Sequence, residues 1–183
     1  NVQFVYGTDT AYGSINSIQA VGNGSTFVPA SAALTGLTPN TTYHYRALAT
    51  NDGATTMGAD QIFATLALPP TATTNVPTGV TSSAATLNAS VNPNGTAASV
   101  RFEYGPTTAY GTSTSTQAIG SGSSASAVTA VLSGLGANTT YHFRVVATNS
   151  GGTTNGADQA FSTLSLPPAV FDSGVSALST SGV

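Results

Sequence analysis

The chain has 183 residues, enough for one large domain or two small ones. Only 5% of the residues are charged, with three Arg, no Lys and six acidic residues, so the net charge of -3 leaves no basic surface for nucleic acid or an anionic membrane. The hydrophobic fraction of 40% argues against disorder, and the abundance of Thr, Ser, Asn and Gly favours strands and turns, so we expect an all-β fold.

Cysteine is absent, which excludes disulfides, thiolate chemistry and Cys-ligated metals. No apolar run reaches the roughly 18 residues of a membrane-spanning helix, so we expect no membrane insertion. The chain opens with Asn1-Val2-Gln3-Phe4, without Met or a basic segment, which indicates either a removed targeting segment or a fragment.

The first predicted strand begins a long internal repeat. The sequence FVYGTDTAYG at 4–13 returns as FEYGPTTAYG at 102–111, and residues 34–68 match residues 132–166 at 23 of 35 positions. The offset of 98 is the length of one immunoglobulin-type sandwich. Pro69-Pro70 and Pro167-Pro168 occupy equivalent positions and predict boundaries, because proline cannot donate to a strand ladder. We predict an incomplete unit at 1–68, a complete unit at 69–166 and a C-terminal tail at 167–183.

The complete unit reads as about seven short strands. Residues 86–91 alternate with a period of two, and the following Asn92-Pro93-Asn94-Gly95 is a turn. Further strands are predicted at 100–104, 128–132 and 141–147, with an edge strand and loop within 112–126 and a last strand at Phe161. The predicted core consists of Leu87, Ala89, Val91, Val100, Phe102, Tyr104, Val128, Ala130, Leu132, Tyr141, Phe143, Val145 and Ala147.

One segment resembles a known family. The run Leu132-x-x-Leu135-x-x-Asn138-Thr139-x-Tyr141, with its counterpart from Leu34, is similar to the corner between strands E and F of fibronectin type III domains. The phrases NPNG, FEYGPTTAYG and GADQ resemble fibronectin type III-like repeats of bacterial secreted and cell-surface proteins. The resemblance implies tandem immunoglobulin-like, fibronectin type III-like β-sandwiches.

The same resemblance assigns structural residues. It implies that the hydroxyls of Tyr43 and Tyr141 close a tyrosine corner by bonding to upstream backbone. Because the chain has no Trp, Phe4 and Phe102 are expected to fill the core position of strand C. The chain also lacks the Arg-Gly-Asp tripeptide that binds integrins in some members of the family.

The first unit begins at the equivalent of strand C, since Val2 corresponds to Val100, and it therefore lacks strands A and B. Such a sandwich exposes apolar core and an unpaired strand edge. Two interpretations remain open: the chain is a fragment of a longer array, or the tail of one subunit donates a strand to the next subunit. In the second case the candidate polymer interface is formed by Val170, Phe171, Val175 and Leu178.

No catalytic, metal-binding or cofactor-binding motif is recognisable, so we expect no enzyme, no metal and no cofactor. The equivalent His44 and His142 lie about one domain apart, and Asp60 and Asp158 of the repeated GADQ are interpreted as caps. One candidate surface patch lies on strands C and F, with an expected cross-strand pair between Glu103 and Arg144. This patch consists of Arg101, Glu103, His142 and Arg144.

The predicted function is that of an extracellular or cell-surface structural protein, a subunit of a fibre or filament. Its expected partners are further copies in a head-to-tail homopolymer or neighbouring domains of the same array, with glycans as a further candidate and no nucleic acid. The alternative is a carbohydrate-binding or spacer module of a larger secreted enzyme or adhesin. Tyr12 and Tyr110 are the repeated candidates for its aromatic platform, although a turn-packing role suits them better.

Overall fold

A computed structural model describes residues 1–170 and Gly174. These residues form strands and turns, and no helix among them is long and apolar enough to cross a membrane. The all-β fold class expected from the composition is confirmed.

The first part of the chain forms a single antiparallel sheet. Its strand order is β2-β1-β3-β4, and β5 also pairs with β3. The central pair, β1 and β3, runs in register from Val2 opposite Ala49 to Gly7 opposite His44. The strands are β1 (Val2–Gly7), β2 (Ser14–Ile15), β3 (Thr42–Thr50), β4 (Thr55–Met57) and β5 (Gln61–Ala64).

The second part forms two sheets that pack face to face. One has the order β11-β7-β6, and the other has the order β10-β8-β12-β13, with β9 added to β8 and β14 added to β12. The segment 112–126 holds two short strands and the last predicted strand is split in two, which gives more strands than the predicted seven. The strands are β6 (Thr71–Thr78), β7 (Ala84–Asn92), β8 (Ala98–Gly105), β9 (Thr112–Ser113), β10 (Gln117–Gly120), β11 (Ser126–Ser133), β12 (Thr140–Asn149), β13 (Gly152–Asn155) and β14 (Gln159–Ser162).

The core of the second part lies between its two sheets. Strand β7 alternates between buried and half-buried positions along its whole length, as the period-two pattern predicts. Phe102 and Phe143 are fully buried with ring centroids 6.4 Å apart, and each large apolar side chain buried in this way contributes about 1.5–3 kcal/mol. Of the predicted core, Tyr104, Ala130 and Tyr141 are only partly buried, because they lie at its margin.

The single sheet of the first part has no second sheet across its inner face in the described residues. Residues 28–35, the equivalents of β11, form no strand, because β11 is held by pairing with β7 and residues 1–68 contain no counterpart of β7. Phe4 is therefore only half-buried, whereas we expected it to fill a core position. A groove of about 500 Å³ lies on this face, lined by Phe4, Ala30, Ser31, Ala32, Leu34, Leu37, Tyr45 and Phe63.

Candidate functional site

Each of the two expected corner tyrosines binds backbone five residues upstream. The Tyr43 hydroxyl accepts a hydrogen bond from the Thr38 amide at 3.0 Å, and the Tyr141 hydroxyl accepts one from the Gly136 amide at 3.0 Å. The Tyr141 ring also stacks on Phe161, with ring centroids 5.7 Å apart. The chain is thereby fixed where it enters β3 and β12.

A cluster of polar and aromatic side chains lies on the outer face of the β8–β12 sheet. The Tyr110 hydroxyl donates a hydrogen bond to Asp158 Oδ1 at 3.0 Å, and Asp158 Oδ2 lies 2.8 Å from His142 Nδ1. The guanidinium carbon of Arg144 lies 4.7 Å from the Tyr110 ring centroid, a cation–π contact. The Asp158 carboxylate, which we interpreted as a cap, therefore binds side chains and not backbone.

Local backbone geometry explains why these residues meet. His142 and Arg144 share one face of β12 because they are two residues apart. Asp158 directly precedes β14, which pairs with β12 beside His142. Tyr110 has a positive φ of 59° and its carbonyl lies against Gly105, where an added Cβ would be 1.5 Å from the Tyr110 oxygen. Only glycine at 105 therefore permits this turn.

Glu103 joins the cluster from β8, directly opposite Arg144 in the strand register. Its carboxylate accepts hydrogen bonds from Arg144 at 2.8 and 3.0 Å and from Arg101 at 2.8 Å. Burial alone would raise the pKa of Glu103, but the bonds from the two arginines outweigh it and lower the pKa. Three members of the predicted patch are thus in direct contact, whereas His142 binds Asp158 instead.

The first sheet repeats most of this arrangement. The Tyr12 hydroxyl donates to Asp60 Oδ1 at 2.9 Å, and His44 Nδ1 lies 2.8 Å from Asp60 Oδ2. Arg46 lies over the Tyr12 ring, 4.6 Å from its centroid. Val5 stands where Glu103 stands in the second part, and the Nε of Arg46 is buried without a hydrogen-bond partner among residues 1–170.

The environments of these groups shift their acidity. Burial raises the pKa of both Tyr12 and Tyr110, and the hydrogen bonds that they donate to aspartate raise it further. The hydrogen bond from His44 lowers the pKa of Asp60, in competition with burial. These shifts favour a neutral phenol and an ionised carboxylate, so each phenol remains a hydrogen-bond donor at neutral pH.

The geometry of the cluster is that of a fixed hydrogen-bond network. The phenol and the imidazole bind the same carboxylate, so the imidazole does not activate the hydroxyl as a nucleophile. No group of three or more His, Asp or Glu side chains suited to a metal ion occurs in the part of the chain that the structure describes. A shallow polar concavity of about 340 Å³ adjoins the network, lined by Glu103, Thr108, Ala109, Tyr110, Gly111, Thr112, Ser113 and Arg144.

The candidate polymer interface falls mostly beyond the described residues. Val170 is described and is 91% exposed. Phe171, Val175 and Leu178 lie outside the described residues, so their predicted role stays a prediction.

Sequence reasoning missed the network of Tyr110, Asp158 and His142. The signal was present, because the Tyr–Asp separation of 48 and the His–Asp separation of 16 recur unchanged in the first sheet. The repeated sequence separations between these polar residues could therefore have indicated the network.

No protein-family model and no curated protein matches the chain. Among solved structures, the sensor domain of the anti-sigma factor RsgI4 from Pseudobacteroides cellulosolvens is similar at 20% identity and a TM-score of 0.44, covering 54% of this chain and 97% of that one. A two-domain fibronectin type III segment of chicken tenascin is similar at 16% identity and a TM-score of 0.42, covering 88% and 83%. Domains d3–d4 of rat CD45 are similar at 20% identity and a TM-score of 0.45, covering 82% of each chain.

The strand order and the corner geometry define the class of this fold. Residues 71–162 form a fibronectin type III-like β-sandwich, with β6, β7 and β11 in one sheet and β8, β12 and their neighbours in the other. The sheet of β1 to β5 repeats the order of β9, β8, β12 and β13 in the second of these sheets, with β5 in the place of β14.

Proposed function

We propose that this chain is an extracellular structural protein without enzymatic activity, a subunit of a surface fibre assembled from fibronectin type III-like units. The observation that carries the proposal is the apolar face of the first sheet. Phe63 is only half-buried there, whereas its equivalent Phe161 is 8% exposed beneath the covering sheet. Uncovered aromatic surface of this kind favours association, because burying it removes apolar area from water.

The proposed occupant of the groove is the segment 169–183 of a second copy. Counted from the repeated Pro-Pro, this segment takes the position of residues 71–85, which include β6, although its sequence does not closely follow theirs. In the second part β6 lies against β12, where the Thr74 hydroxyl accepts a hydrogen bond from the Val145 amide at 3.2 Å. A donated strand in the equivalent place would cover part of the groove and would make a head-to-tail contact, which propagates into a filament.

The free energies of burial and association indicate that a stable contact needs backbone pairing as well as side-chain burial. Burying the four apolar tail residues Val170, Phe171, Val175 and Leu178 contributes roughly 6–12 kcal/mol. Association costs about 4–15 kcal/mol. The side chains therefore only balance the cost, and hydrogen bonds to the donated strand, at about 1 kcal/mol each, would make the contact durable.

Electron microscopy and sedimentation velocity of the full chain test this proposal. We expect filaments or concentration-dependent oligomers, and we expect a chain that ends at Pro168 to remain monomeric. Val131→Ser is the matched control, since Val131 is an exposed apolar residue on the covering sheet. Monomers at every concentration, or equal assembly by the shortened chain, would overturn the proposal.

The runner-up is a carbohydrate-binding or spacer module, and the polar concavity beside Glu103 favours it. Arg144 already covers one face of the Tyr110 ring, so a sugar would depend on hydrogen bonds to Glu103 and the neighbouring hydroxyls. Titration with a panel of neutral oligosaccharides, repeated on Glu103→Gln, tests this alternative. Binding that the variant loses would support it, and no binding would exclude the carbohydrate version.

A further inference from the structure

The linker between the two parts is held by side chains of the second part. Asn149 Nδ2 donates hydrogen bonds to the carbonyls of Leu68 and Pro93, both at 2.9 Å. Asn94 Nδ2 donates to the Pro69 carbonyl at 2.6 Å. Pro70, the next residue, is fully buried. The linker is therefore bound as part of the second unit.

The turn between β12 and β13 is shaped to fit this linker. An added Cβ at Gly151 would lie 2.5 Å from the Ala67 carbonyl oxygen and 2.6 Å from that of Leu68. An added Cβ at Gly152 would lie 3.7 Å from Pro69 Cβ. Backbone therefore meets backbone at 151, and a larger residue there would push the linker away.

The same turn occurs in the first part, between β3 and β4. Asn51 Oδ1 accepts a hydrogen bond from the Gly53 amide at 3.0 Å, as Asn149 Oδ1 accepts one from Gly151 at 2.8 Å. Among residues 1–170, the side chain of Asn51 makes only the hydrogen bonds that its Oδ1 accepts from Gly53 and Ala54, whereas Nδ2 of its counterpart Asn149 holds the linker. A concavity of about 390 Å³ lies at this turn, and Asn51, Gly53 and Ala54 belong to its lining.

A segment that matches the bound linker is exposed at the other end of the described residues. Residues 165–168 stand 98 positions after residues 67–70, and both segments have the sequence x-Leu-Pro-Pro. Leu166 is 68% exposed, and Pro168 is exposed although its equivalent Pro70 is buried. An extended Pro-Pro segment is also stiff, so it loses little conformational freedom on binding.

We propose that the turn at Asn51 is a linker-binding site, and that its ligand is the Leu166-Pro167-Pro168 segment of a second copy. This inference rests on the proposed self-association and names a second contact within it. The contact reproduces between copies the joint that Asn149 makes within one chain.

The first test is Asn51→Asp in the full chain. The carboxylate keeps an oxygen that accepts from Gly53 but loses the donor that the linker carbonyl needs. We expect association to weaken about tenfold by sedimentation velocity, the effect of one lost hydrogen bond. Asn75→Asp adds the same charge at an exposed position of β6 and is the matched control. Oligomers that form equally well in Asn51→Asp would overturn this inference and leave the proposed function standing.

The second test traps the contact with cysteines, which the chain otherwise lacks. Ala54 is the equivalent of Gly152, and the separation of 3.7 Å seen between positions 152 and 69 suits a disulfide. We expect a mixture of the Ala54→Cys and Pro167→Cys chains to give a mixed disulfide dimer under mild oxidation. Thr10→Cys, mixed with Pro167→Cys, is the control. Equal cross-linking of both mixtures would overturn the inference, and chains that stay monomeric at every concentration would overturn the proposed function together with it.

Discussion

Arg144 lies over the ring of Tyr110, and the same arginine binds the Glu103 carboxylate through both Nε and Nη2. One side chain therefore links β12 to β8 and to the turn that follows β8. In the first sheet Arg46 makes the same contact with Tyr12 but has no carboxylate to bind, because Val5 stands opposite. This difference leads to the first prediction.

Val5→Glu should stabilise the first sheet. The new carboxylate would meet Arg46, whose buried Nε has no partner in the described residues, and we expect a gain of about 1 kcal/mol in the free energy of unfolding. Urea unfolding of the full chain measures it. Val5→Gln is the control for shape without charge, and a gain as large with Gln would contradict the ionic explanation.

Tyr110→Phe should weaken the second unit modestly. The substitution keeps the ring under Arg144 but removes the hydrogen bond to Asp158, so we expect a loss of about 0.5–1.5 kcal/mol. Thermal unfolding followed by circular dichroism measures it. An unchanged melting temperature would show that the phenol contributes through packing alone.

Gly105→Ala should be strongly destabilising. The added methyl group would lie 1.5 Å from the Tyr110 carbonyl oxygen, so the whole turn has to move, and we expect a cost of roughly 3 kcal/mol or more. Gly122→Ala is the control, since an added Cβ there meets no atom within 4 Å. The two variants are compared by urea unfolding, and similar stabilities would contradict the close approach.

Acidification should destabilise the fold through Glu103 and Asp60. Both carboxyl groups have a pKa in the folded protein that lies below their pKa in the unfolded chain. Their contribution to the free energy of unfolding is therefore present above the unfolded pKa and is lost as the pH falls through the folded pKa. We expect the melting temperature to fall from about pH 4.5 downward. Glu103→Gln should reduce this dependence, and an identical pH profile for the variant would remove Glu103 as its cause.

The sequence predicts the structure of the sandwich best where a feature depends on residues within one strand or one short segment. Alternation in 86–91 places Leu87, Ala89 and Val91 on one face, and all three are buried. Corner residues such as Tyr141 are predictable for a similar reason, because the motif and its hydrogen bond span only a few residues.

The cross-strand pair between Glu103 and Arg144 was predicted, but the contacts of Asp158 with neighbouring segments were not. Asp158 meets His142 only because β14 pairs with β12 at a register that places Ala160 opposite His142. Tyr110 reaches the same carboxylate because its backbone adopts a positive φ, which propensity does not predict for tyrosine. The missing strand at 28–35 likewise follows from an absent partner, since β11 pairs with β7 along its whole length and residues 1–68 contain no counterpart of β7.

The bond from Asn149 to the Leu68 carbonyl also has a mechanical consequence. Tension along the chain reaches the second unit through this side chain and through buried Pro70 before it reaches β6. The linker therefore cannot extend away from the second unit while the turn at Asn149 is intact. Stretching would have to break the side-chain hydrogen bonds from Asn149 and Asn94 before the linker separates from the second unit, so the extensibility of the chain depends on residues of the following domain.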